Sequence, residues 1–153
     1  MVFKTTDELK NYILSRSELA VQETKEKVFK IIFKVVEQYY NEFQPEYYQR
    51  TLQLLFSLVD TDARKQGNGF VAEVYFDVDS IDYQIGKLNR GYSDDWDDEK
   101  IINEIMTGGS HGGYIAPNGN TKVWTESIGI LNAELIQILK QELIKNGIPV
   151  KTK

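Results

Sequence analysis

The chain contains no cysteine, one histidine, two methionines and three prolines in 153 residues. The missing thiols exclude structural disulfides, thiolate zinc sites and cysteine nucleophiles. The lone His111 supplies at most one imidazole to a metal ion or a proton relay. No apolar run approaches the ~18 residues of a membrane-spanning helix. The opening MVFKTTDELK turns polar after three residues, without the apolar centre of a signal peptide. Positive charge is also scarce: 18 Lys and Arg face 23 Asp and Glu, leaving a net charge of −5. Such a balance suits nucleic acid poorly as a partner, because binding it relies on basic side chains displacing counterions. A length of 153 residues suits one domain, residues 1–153, and these absences predict a chain made in the cytoplasm and without a membrane partner.

What the chain does have is a set of strongly patterned segments. Residues 5–43 predict one long helix. Thr5 and Glu8 have the spacing of a capping box, and Asp7 and Glu8 suit the positive end of a helix. Leu9, Ile13, Leu19, Ala20, Val28, Ile31, Ile32, Val35, Tyr39 and Phe43 recur close to the 3.6-residue period. The apolar stripe weakens between Arg16 and Lys27, where Glu23, Thr24 and Lys27 fall near it. Three readings stay open there: packing on a neighbouring chain, partial exposure, or a break near Ser15–Ser17.

Pro45 stops or redirects this helix and is placed to open a second one, with Leu52, Leu55, Phe56 and Val59 on its apolar side. From about Leu58 the pattern already reads as extended. Phe70, Ala72, Val74, Phe76 and Val78 alternate with Glu73, Asp77 and Asp79, the signature of a strand. Asn68-Gly69 before it predicts a tight turn, which makes residues 57–65 the partner strand of a hairpin. A short helix is expected near residues 93–108, and residues 122–129 read either as strand or as first helical turns. Residues 130–146 predict a helix with Leu131, Leu135, Ile138, Leu139, Glu142 and Leu143 at helical spacing, ended by Asn146-Gly147 and Pro149. The expected fold is α+β: a long N-terminal helix and a C-terminal helix packed on a small antiparallel sheet containing a β-hairpin.

Candidate chemistry is thin. The loop TGGSHGGYIAPNGN, residues 107–120, follows a helix rather than a strand and matches no phosphate-binding spacing. The acidic run Asp94–Glu99 lacks the spacing of a calcium loop and stands where a helix start favours negative charge. A metal-dependent hydrolase using His111 with Asp94, Asp95 or Asp97 from the Asp94–Asp98 cluster is the enzymatic alternative. A second alternative is a bacterial protein–protein interaction module. No pair or triad meets the criteria for acid–base or nucleophilic work, so no catalytic or metal-binding residues and no cofactor are assigned. Tyr39, Tyr40, Phe43, Tyr47, Tyr48 and Arg50 cluster around Pro45, and Tyr114 and Ile115 lie in the glycine-rich loop. Tyrosine and arginine are favoured at interface hot spots, which makes these eight residues the candidate protein interface.

The order of elements and the run YYNEFQPEYYQRTLQLLFSLV, Tyr39–Val59, resemble the tail-completion or minor tail component proteins of long-tailed bacteriophages of Gram-positive hosts. That family carries an Arg-Thr-Gly-x-Leu-like segment here; Arg50, Thr51 and the following leucines match it, with Leu52 in place of the glycine. The resemblance implies a non-catalytic virion protein of the phage neck, located at the head–tail junction. It implies self-association into a ring, contacts with other neck, connector and tail proteins, and DNA passing through the lumen without specific binding.

Overall fold

A computed structural model describes residues 2–42, 52–81, 106 and 122–151 of the chain. Helix α1 runs over Thr6–Asn41 without interruption, which closes the possibility of a break near Ser15–Ser17. Its start is fixed as the sequence predicts. The Glu8 amide donates to Thr5 Oγ1 at 3.1 Å, and the Glu8 carboxylate reaches back to the Lys4 amide at 2.8 Å. The first bond satisfies a backbone donor that a helix start leaves open, and the second ties down the residue before the cap.

After α1 come a four-residue helix α2 (Gln53–Phe56), strands β1 (Leu58–Asp60), β2 (Arg64–Gln66), β3 (Gly69–Val71) and β4 (Val74–Phe76), and a 3₁₀ turn at Val78–Ser80. Helix α3, Val123–Lys145, completes the described chain. Of the ambiguous residues 122–129, those from Val123 on are therefore helical, not extended. The class is α+β, with a long N-terminal helix, a C-terminal helix and small antiparallel ladders.

The predicted hairpin forms, but its sheet is not one continuous ribbon. β2 pairs with β3 in the register Arg64↔Val71, Lys65↔Phe70 and Gln66↔Gly69. The two central turn residues are thus Gly67 and Asn68, one position before the expected dipeptide. Gly67 has φ 58°, the positive value that a II′-type hairpin turn demands at its first central residue. The other ladder joins β1 to β4. There the Asp77 amide donates to the Ser57 carbonyl, and the Thr61 amide to the Glu73 carbonyl. Thr61 faces Glu73 while Arg64 faces Val71, so Asp62 and Ala63 together oppose Ala72. This two-against-one count is a β-bulge. It corrects the single strand expected over residues 70–78, which is also cut short by the 3₁₀ turn after Asp77. The predicted alternation survives across the break: Ala72, Val74 and Phe76 are half-buried, Glu73 and Tyr75 exposed.

The described residues fall into two compact units. One takes residues up to Phe29 with Asp60–Val74 and Leu131 onward; the other takes residues from Lys30–Val59 and Tyr75–Ile130. The second unit has an apolar core: Ile32, Val35, Val36 and Tyr39 of α1, with Leu54, Leu58, Ile81, Met106 and Val123, are all buried. Their spacing on α1 (i, i+3, i+4, i+7) is the apolar stripe read from the sequence. In the first unit the buried side chains are of a different kind: Ala20 is joined by Thr24, Lys25 and Glu142.

α3 ends in a Schellman motif. The Ile148 amide donates to the Leu143 carbonyl at 2.8 Å and the Gly147 amide to the Ile144 carbonyl at 2.9 Å, with Gly147 at φ 83°. Leu52, standing where the resembled phage family carries glycine, is the one described non-glycine residue with positive φ, at 59°.

Candidate interaction surface

The weakened stretch of the α1 stripe has a specific partner. Glu23 and Lys27 lie one helical turn apart on α1 and meet Glu142 and Lys145 at the end of α3. Lys27 donates to the Glu142 carboxylate, and Lys145 reaches both Glu23 at 2.8 Å and Glu142 at 3.2 Å. The Asn146 amide bridges the same groups, donating to Glu23 Oε2 at 2.6 Å and to the Glu142 carbonyl at 2.9 Å. Only 3% of the Glu142 side chain is exposed, whereas Lys27 and Lys145 keep 46% and 64% of theirs in water. The arrangement seats an anion inside and leaves its counter-charges hydrated, which limits the desolvation cost to one group.

The electrostatics follow from that geometry. The hydrogen bond from Lys27 holds the Glu142 carboxyl down from its ordinary 4.5 to about 2, with Lys145 adding to it and burial opposing it. Lys145 is pushed up by its hydrogen bonds to Glu23 and then Glu142. This polar seam with α3 occupies the weak part of the stripe.

Two further contacts tie α1 to the strands. Lys25, buried, donates to Asp60 Oδ1 at 2.9 Å at the end of β1. Gln22 uses both ends of its amide: Nε2 donates to Asp62 at 3.1 Å and Oε1 accepts from the Ala63 amide at 2.8 Å. The two bulge residues are therefore the ones Gln22 grips, and the amide that the bulge leaves without a ladder partner is satisfied. Towards the start of α1, Tyr12 packs on Phe3 with ring centres 5.2 Å apart, and the Arg16 guanidinium stands 5.4 Å from the Tyr12 ring centre.

Of the predicted interface residues, Tyr39 is 7% exposed and contributes to the core of its unit, while Tyr40 is half-buried. Their rings meet edge to face at 5.5 Å. Phe43, Tyr47, Tyr48, Arg50, Tyr114 and Ile115 lie outside the described residues, as do His111 and the Asp94–Asp98 cluster. Among the described residues no three of His, Asp and Glu gather where they could hold a metal ion. No described helix is long and apolar enough to cross a membrane.

Sequence reasoning missed the apolar surface that α3 leaves uncovered. Trp124, Ile128, Ile130, Leu135, Ile136 and Ile144 are exposed, Ile136 at 73%. On the short helix, Phe56 is exposed to the same extent. The signal was available: α3 carries apolar residues on more of its circumference than one buried face requires.

Neither a curated protein nor a solved structure matches the chain. A family profile does match, over residues 5–145, covering α1, all four strands and α3. The chain belongs to that family, YomN, whose name is phage-derived.

Proposed function

We propose that the protein is a non-catalytic structural subunit of the bacteriophage neck, a ring component that completes the tail or joins it to the head. The match to a phage-named family over nearly the whole chain carries this reading. The exposed apolar side chains of α2 and α3 support it, since a subunit held between neighbours keeps such surface for contacts. In this reading the chain associates with copies of itself and with other neck, connector and tail proteins. It is made in the host cytoplasm and ends in the virion. DNA passes through the ring lumen without specific contacts, and the acidic balance of the chain keeps it from adhering.

Particles assembled without the protein test the proposal. The expected result is filled heads and tails that do not join, or tails with a defective end, together with localisation of the protein to the neck by labelling. Fully infectious particles lacking the chain would overturn it.

A further inference from the structure

The sequence sets asparagine before glycine three times, at Asn68-Gly69, Asn118-Gly119 and Asn146-Gly147. Such a junction modifies itself in water. The glycine nitrogen attacks the asparagine side-chain carbonyl carbon, and the new C–N bond closes a cyclic imide. The Cγ–Nδ2 bond breaks, and ammonia leaves with the proton that the glycine nitrogen gave up. Water then opens the imide at either carbonyl, giving aspartate or isoaspartate. Glycine favours the attack because no β-carbon shields its nitrogen. Closure needs a side-chain amide free to turn inward and a backbone nitrogen free to swing towards it.

Two of these junctions belong to one compact unit and meet opposite surroundings; Asn118-Gly119 lies outside the described residues. At the end of α3 both reacting groups are held. Asn146 Nδ2 donates to Glu23 Oε2 at 2.6 Å and to the Glu142 carbonyl at 2.9 Å, and the Gly147 amide donates to the Ile144 carbonyl at 2.9 Å. At the hairpin tip, Gly67, Asn68 and Gly69 are all exposed. Among the described residues nothing holds the Asn68 side chain. Gly69 belongs to the last pair of the ladder, opposite Gln66, where local opening costs least. We propose that Asn68-Gly69 is a self-modification site of the folded chain, and that the Glu23–Glu142 seam keeps Asn146-Gly147 from becoming one. Conversion at Asn68 adds a negative charge at the turn and, in the isoaspartyl product, an extra backbone carbon. Conversion at Asn146 would replace a shared donor with a third carboxylate between Glu23 and Glu142, so the seam protects the residue on which it depends.

This chemistry goes beyond the neck reading and does not depend on it. The test is peptide mapping by mass spectrometry after incubating the purified chain at mildly alkaline pH, with an isoaspartyl methyltransferase as the probe for the rearranged product. Asn68 is expected to convert at least about tenfold faster than Asn146, the factor that one hydrogen bond to a charged group commands. In the urea-unfolded chain the two should convert alike, because only the fold separates them. Gly69→Ala, a position with open space around it, should suppress conversion at Asn68. Glu23→Ala should raise the rate at Asn146 severalfold and leave Asn68 unchanged, with circular dichroism checking its fold. Where that variant unfolds, Glu23→Gln, which keeps an acceptor, takes its place with a smaller rise. An intact Asn68 in the native chain, equal rates at the two junctions, or an Asn146 rate indifferent to Glu23 would overturn the proposal.

Discussion

Lys27 of α1 donates to the buried carboxylate of Glu142 on α3, two residues separated by more than a hundred positions in the chain. Each sits where a purely apolar stripe would have placed a leucine or an isoleucine. An apolar contact tolerates sliding, whereas a charge-assisted hydrogen bond holds only in one alignment. The pair therefore fixes which turn of α1 meets the last turn of α3.

Glu142→Gln keeps the shape of the side chain and removes its charge. We expect a loss of about 2 kcal/mol at neutral pH, the scale of hydrogen bonds to charged groups. Because Glu142 titrates lower folded than unfolded, its contribution is fully present above about 4.5 and is lost as the pH falls towards about 2. Urea titrations of both proteins at pH 7 and pH 2 check this. The difference between them should be large at the first pH and small at the second; an equal gap would contradict the assignment.

Gln22→Leu removes the side-chain grip on the bulge. Two hydrogen bonds go, and the Ala63 amide is left without a protein partner, for an expected cost of about 1–2 kcal/mol. Hydrogen exchange should accelerate first at Ala63. Gln22→Glu keeps the acceptor for that amide but sets a second carboxylate against Asp62, so it should protect Ala63 only partly.

The glycines separate by environment. Gly147→Ala forces a β-carbon to 2.6 Å from Tyr12 Oη at a φ of 83°, and should cost about 1–3 kcal/mol. Gly67→Ala meets no atom within 4 Å, so only its backbone penalty of about 1 kcal/mol remains. Gly129→Ala lies within α3 in open space and should stabilise by up to about 1 kcal/mol. Thermal melts of the three variants should fall in that order.

Leu52 reverses the usual direction. A leucine at φ 59° carries roughly 1–2 kcal/mol of strain. Leu52→Gly should leave stability unchanged or raise it by up to about 1 kcal/mol, whereas Leu52→Ala, strained alike and smaller, should lower it. Melting both variants beside the parent tests the point. A marked loss in Leu52→Gly would mean that the half-exposed leucine side chain contributes more than its backbone costs.

Much of this architecture was legible because it is local. The Thr5–Glu8 cap, the Ile32–Tyr39 stripe and the Asn146-Gly147 stop each involve residues within two turns of one another, and each forms where the pattern places it. The bulge was not legible, since an extra residue leaves alternation intact on both sides and shows only in the pairing. The polar seam lay in between. Glu23, Lys27 and Glu142 were visible as charges on apolar stripes, but their complementarity becomes evident only once the two helices are brought together. The interface expectation drew on aromatic composition, which does not separate a core ring from a contact ring, and Tyr39 is a core ring.

The bulge also sets a rule for changes in length. Side chains of a strand alternate between faces with a period of two, so one added residue reverses the parity of everything beyond it. Asp62 and Ala63 opposing Ala72 perform that reversal once, midway along the ribbon. Removing a residue there would bring the two ladders into phase and exchange the faces of Arg64, Lys65 and Gln66. Removing a second on the other arm, at Ala72, would alter the offset again. The ribbon behaves like a text with a single frameshift built in: substitutions at the bulge are spelling changes, and deletions rewrite every letter after it.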